Sequence, residues 1–345
     1  MNSQCSGDST QQGGERSMSI SALHHDIIQT HILTRLDGRT LASAGCASSQ
    51  LHALSNEDKL WQRICNDTWP STADPTIHHL ISTMPAGHRS FYYDSFPTLH
   101  HHRRSPITPE LSKENLCLYR APQTSGLFSA VDIRYQNKLI LSKIDKTETE
   151  SGWFLCSPFR VDLLDPKETI SSPPAKFHGN EETLQSELEN NLTLSWILID
   201  PTRKRAANFS SLRPVSVTRH WLTADVQVRY ATVLLDSLLC TVLVTCGRDH
   251  VLQLKEVSLH VEDMEGRNLS GKESLVILKE VMESGEGRKK GGASGDDRER
   301  YIEFLRMKRE MRERNQRREK QLDLVCIATG VSIFVAWAVF LLRYI

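Results

Sequence analysis

Nineteen consecutive residues near the end of the chain, Leu324 to Leu342, carry no charge. The run LVCIATGVSIFVAWAVFLL has the length of an α-helix that crosses the hydrocarbon core of a bilayer. A helix satisfies all its own backbone groups there, which few other structures do. Trp337 and Tyr344 suit anchoring at the far interface. Arg312, Arg314, Arg317, Arg318 and Lys320 precede the run and only Arg343 follows it, a bias that keeps the N-terminal bulk in the cytosol. The first residues, MNSQCSGDSTQQGGERS, lack the apolar centre of a secretory signal. We expect one span at 322–342, tail-anchored, with the basic residues before it placed to touch anionic lipid.

The rest of the chain is more polar. Apolar residues are 39% of the 345 and charged residues 24%, a dilution that implies tails and linkers around an ordinary core. Net charge is zero, so no nucleic-acid partner is expected. None of the eight cysteines forms a CxxC pair, and several sit in apolar runs as buried free thiols do, in a reducing compartment. His78, His79, His100, His101 and His102 cluster in sequence, but adjacent loop residues rarely converge on one ion. We expect no metal, no cofactor and no glycan on the triplets that start at Asn66, Asn191, Asn208 and Asn268.

Organisation follows from the changing period. Residues 1–18 are polar and expected to be disordered; short helices fill 19–69. A Pro/His-rich connector, 70–114, has the character of loop with some short helix. From 115 to 282 the period is two, in SAVDIRYQNKLILSKI, GWFLCSPFRVDLL, LTLSWILID, PVSVTRHWLTADVQVRYATVLL, CTVLVTCG and VLQLKEVSLHVEDM. Such runs, broken by turn signals, predict a mostly antiparallel, sandwich-like domain. A flexible linker, 283–297, leads into a charged helix at 298–321, whose narrow stripe of Tyr301, Phe304, Leu305, Met307 and Met311 fits a solvated helix or weak coiled-coil partner. The fold class is α+β.

The N-terminal helices carry the most specific pattern. In LHHDIIQTHILTRLDGRTLASAGCASSQLHALSNEDKLWQRICNDTW, Ile28, Ile32 and Leu36 are four apart with Leu33 beside them, predicting one amphipathic helix. Asp37-Gly38 turns the chain; Leu41 and Cys46 lie on a small-residue helix; Leu51 and Leu54 lie on a third. Ser55 and Asp58 fit a cap for the fourth, which holds Leu60, Trp61 and Ile64. So much apolar surface on so few residues does not close on itself, and part of it should face a partner.

This stretch resembles the F-box family, through Leu23, Asp26, Ile27, Ile32, Leu33, Arg35, Leu36, Leu41, Cys46, Leu51, Leu54, Leu60 and Trp61. It departs in having His24 and Asp37 where proline is usual, which loosens the expected helix starts, and Leu51 where tryptophan is frequent. The whole chain, with RPVSVTRHWLTADVQVRYA, is similar to a group of plant F-box proteins. The resemblance implies a non-catalytic subunit: its helices dock a Skp-type adaptor, joined to a cullin and a RING subunit, while another domain holds a protein substrate for ubiquitin transfer. The adaptor contacts it implies are Leu23, Ile27, Ile28, Ile32, Leu33, Leu36, Leu41, Cys46, Leu51, Leu54, Leu60 and Trp61, with Leu36, Leu60 and Trp61 as anchors. The rival is a tail-anchored sandwich that binds carbohydrate or peptide without a ligase role, using Trp153, Trp196 or Trp221. No GxGxxG, P-loop, HExxH or GxSxG supports an enzyme.

Overall fold

A computed structural model describes residues 24–96, 126–165, 170–171, 181–223, 225–247, 252–284 and 295–344. Those up to Ile64 form one compact unit, and those from Cys65 onward a second.

The first unit is helical. Helix α1 (His25–Ile27) runs into a π-turn (Ile28–Ile32) and a 3₁₀ turn (Leu33–Arg35), followed by α2 (Gly38–Gly45), α3 (Ser49–Ser55) and the start of α4 (Asp58–Thr68).

Two antiparallel sheets dominate the second unit. One has strand order β2-β1-β5-β6, made of β1 (Leu127–Tyr135), β2 (Lys138–Thr147), β5 (Leu192–Asp200) and β6 (Arg205–Asn208). The other runs β3-β10-β9-β8-β7, with β3 (Arg160–Asp162), β7 (Ser216–Arg219), β8 (Val226–Leu234), β9 (Leu238–Gly247) and β10 (Gln253–Asp263); β4 (Ile170–Ser171) also pairs with β10. Alternation sends Val131 and Ile133 of β1, Leu194 and Trp196 of β5, Val228 and Tyr230 of β8, and Val242 and Val244 of β9 into one shared core. The run SAVDIRYQNKLILSKI is a hairpin rather than one strand, because Gln136 and Asn137 adopt φ of 48° and 64° between paired Tyr135 and Lys138.

Three helices lie where a period of two was expected. Helix α7 (Gly152–Cys156) is capped by Ser151, whose Oγ accepts from Phe154 N at 3.2 Å. Helix α8 (Glu181–Asn191) precedes β5. Helix α9 (Gly271–Ser284) opens with a capping box: Ser270 Oγ accepts from Glu273 N at 3.3 Å, and Glu273 Oε2 accepts from Ser270 N at 2.8 Å. Its Val276, Ile277, Leu278, Val281 and Met282 join the shared core.

Most of the described part of the connector is helical, in a 3₁₀ turn (Pro70–Ala73), α5 (Pro75–Ser82) and α6 (Gly87–Ser95). It is fastened to the first sheet by polar bonds. Asp132 of β1 accepts from Ser71 N at 3.0 Å and Ser71 Oγ at 2.6 Å, and Asp94 of α6 accepts from Ala206 N at 3.3 Å. Burial raises the Asp132 carboxyl above its usual range, against these bonds. Trp69 meets Phe91 edge to face at 5.8 Å and the tilted ring of Tyr92 at 5.6 Å.

Helix α10 (Gly295–Tyr344) is continuous from the charged segment through the apolar run. Its start is not solvated: Tyr301 and Phe304 are buried with Val215, Ala231 and Leu239 on the outer face of the second sheet. Lys308 Nζ donates to Glu262 Oε1 at 3.1 Å. The apolar run itself is exposed along its length.

Candidate adaptor interface

Each helix start in the first unit is supplied by the residue type found there. Asp37 Oδ1 accepts from Thr40 N at 2.7 Å and caps α2, so the place where proline is usual is not loose. Bonds from Thr40, side chain and backbone, hold the Asp37 carboxyl below its ordinary range. His24 Nδ1 accepts from Asp26 N at a long 3.4 Å, a weaker cap on α1. Ser48 Oγ accepts from Leu51 N at 3.2 Å and starts α3. Ser55, expected to cap α4, instead ends α3 and donates its hydroxyl back to His52 O at 3.2 Å.

The small residues of ASAGCASS let α2 and α3 approach. A Cβ added at Gly45 would stand 2.5 Å from Ser55 Oγ. The carbonyl of Ser55 accepts the indole N–H of Trp61 at 2.7 Å, which fixes α4 against the end of α3. Gln29 bonds to Glu57, tying the first turn to the start of α4.

These contacts sort the twelve residues of the expected interface. Ile28, Leu33, Leu41, Leu60 and Trp61 are buried in the chain itself, Trp61 at 1% exposure. Ile32, Leu36, Leu51 and Leu54 are half-buried; Cys46 and Ile27 are exposed, Ile27 at 46%. Leu23 lies outside the described residues. The π-turn explains why Ile28 and Ile32 do not share a face as a regular helix predicts. Leu33 N donates to Ile28 O, five residues back, so Ile28 and Leu33 turn inward together. Of the twelve, those that stay accessible are therefore Ile27, Ile32, Leu36, Cys46, Leu51 and Leu54.

Of the three tryptophans weighed as a binding face, Trp196 is core and donates to Ser129 Oγ at 3.2 Å. Trp153 on α7 and Trp221 between β7 and β8 are 84% and 88% exposed. Asp249 and His250, an adjacent acid and imidazole in a turn-like stretch that fits a structural role better than a catalytic one, lie outside the described residues.

A unit of short helices with accessible apolar side chains, followed by an antiparallel β domain, is the class of architecture the chain presents. Comparison gives the class a family. The F-box-like model matches residues 27–67. The F-box protein At2g27310 of Arabidopsis thaliana is 44% identical over 341 residues, covering 94% of this chain and 97% of that one. The probable F-box protein At2g36090 of the same plant is 43% identical, covering 94% and 93%. The F-box protein At3g44326, also from Arabidopsis, is 40% identical, covering 92% and 89%. The chain belongs to the plant F-box proteins. No solved structure matches it.

Proposed function

We propose that this chain is the substrate-receiving subunit of an SCF-type ubiquitin ligase, tethered to a membrane by its C-terminal helix. The F-box docks a Skp-type adaptor, and through it a cullin and a RING subunit. The β domain holds a protein substrate. The subunit performs no covalent step; it raises the effective concentration of substrate lysines beside a charged ubiquitin-conjugating enzyme. The single observation that carries this reading is the F-box match at residues 27–67, over helices that leave Ile27 exposed and Ile32, Leu36, Leu51 and Leu54 only half-buried.

Tethering is supported by the exposed apolar end of α10, and a cytosolic F-box by the basic residues that precede it. The test is co-purification with a Skp-type adaptor. Ile27→Asp with Leu36→Asp should abolish capture while circular dichroism stays unchanged, since desolvated anchors are each worth more than about 2 kcal/mol. Capture undiminished by the folded double variant rejects the docking surface. Leu60→Ala with Trp61→Ala should also lose the adaptor, but through the helical unit itself, because Trp61 is buried and bonded.

A further inference from the structure

The path of α10 over the second sheet gives the β domain a direction. Arg298 pairs with Glu189 of α8 at 3.6 Å, and α8 packs beside β7. Tyr301 and Phe304 then cover Ala231 of β8 and Leu239 of β9. Lys308 reaches Glu262 of β10, and Met311 lines a groove with Met264 and Glu265, just past the end of β10.

The strand register turns this sequence of contacts into an oblique crossing. Ala231 pairs with Thr241, whereas Val233 pairs with Leu239 and Leu239 with Glu262. From Ala231 to Met264 the helix therefore moves across the sheet toward β10 and along the strands toward the turn at 235–237. It leaves the sheet there. About 20 Å of the same helix, at 1.5 Å per residue, separates Met311 from Leu324, where the apolar run begins.

At the diagonally opposite corner stands the tip between β7 and β8. Trp221 there is 88% exposed and Leu222 70%, with the His220 ring stacked on the indole at 6.3 Å. An exposed Trp-Leu pair fits either a lipid surface or a protein pocket. The strand β8 alone, nine residues at roughly 3.3 Å each, puts about 30 Å between this tip and the turn at 235–237. Two side chains are also far less than the roughly 800 Å² per partner of a standard interface between folded chains, an area that suits a short apolar segment and not a second folded copy.

We propose that the docked start of α10 is a rigid standoff that orients the β domain on the membrane. The turn at 235–237 faces the headgroups. The Trp221–Leu222 tip faces the aqueous phase, where its occupant is a soluble protein segment rather than lipid or a second copy. This rests on the tethered reading above and narrows it to a substrate that presents its docking segment in water.

Energy transfer tests it. Full-length protein in liposomes carries a donor dye on an unnatural residue at position 237 or 222, with acceptor on the lipid headgroups. Transfer should be several-fold stronger from 237, and four glycines inserted after Gln316 should make the two positions alike. Equal transfer in the parent, or stronger transfer from 222, overturns the orientation while leaving the tether intact. Failure to float with the liposomes overturns the tether, and the orientation falls with it. For the tip, a photoreactive group at 222 in native membranes should yield an adduct with a protein whose turnover slows in Trp221→Ala cells that retain adaptor binding. Adducts with lipid, with a second copy or with residues 97–125 of the same chain reject the assigned occupant.

Discussion

Asp37 opens α2 with a carboxylate where the family usually has proline. Because its bonds to Thr40 hold the folded-state pKa below that of the unfolded chain, the ionised form is the stabilising one. The contribution is complete above the ordinary carboxylate range and fades as pH falls through the folded value. Asp37→Ala should cost about 1 kcal/mol near neutrality, an ordinary cap loss at an exposed site. Hydrogen exchange of the α2 amides should be faster in the variant at pH 7, and the gap between variant and parent should close in acid. A gap independent of pH would mean that the carboxylate is not the cap. Gly271 is a steric requirement of another kind. A Cβ there would meet the Phe154 carbonyl at 2.2 Å and the Phe154 ring at 2.8 Å, so α7 could not keep its place on the first turn of α9. Gly271→Ala should lower stability by about 1–3 kcal/mol, the usual range for overpacking, as read by thermal unfolding. Gly152→Ala, whose new Cβ meets nothing within 4 Å, should be neutral.

At the scale of elements, the docking of α10 depends on very few side chains. Phe304 is fully buried, Tyr301 nearly so, and the following turns are held by the Lys308–Glu262 pair. Phe304→Ala should remove about 3–5 kcal/mol from this contact. Hydrogen exchange should then rise across 295–311 while β8 and β9 stay protected; loss of protection throughout would show that α10 belongs to the core. The sequence made the strands visible because alternation survives in β5, β8 and β10 and a near-continuous apolar run marks β9, and the F-box order visible because its apolar residues are large. It hid α10's docking, since Tyr301 and Phe304 among charges look the same on a solvated helix. It hid α9 behind the four-residue apolar run Leu275–Leu278, which is as short as a strand, although Ser270 and Glu273 were there to mark its start. The split of the F-box residues into buried and outward sets was not legible, because one π-turn moves Ile32 off the face of Ile28 without any change of composition. Trp153 and Trp221 fall within runs read as period two, yet the first lies on a helix and the second in a turn, where neither is drawn into the core.

For the whole molecule, the two ends of the chain constrain each other. An F-box works only where adaptor and cullin are, so a tethered chain must keep its N-terminal bulk on the cytosolic face. The arginines before the apolar end of α10 favour that sidedness. We predict that the full-length protein resists alkaline extraction from membranes and that a chain ending at Gln321 is soluble. Added protease should cleave the F-box in sealed vesicles. The Asn-x-Ser/Thr triplets give an independent reading of sidedness, but they are not equal reporters. Asn208 is buried, and its Oδ1 accepts from Trp196 N at 3.2 Å and Ser210 Oγ at 2.9 Å, so a glycan there is incompatible with the folded sheet in any compartment. Asn268 is exposed beside the turn after β10, and Asn191 is half-buried at the end of α8. Asn268 is therefore the position to watch. Its failure to gain mass that a glycosidase removes agrees with a cytosolic β domain. Glycosylation at Asn268 in the native chain would put the sandwich in a lumen, and a ligase that meets its cullin in the cytosol could not be built on this topology.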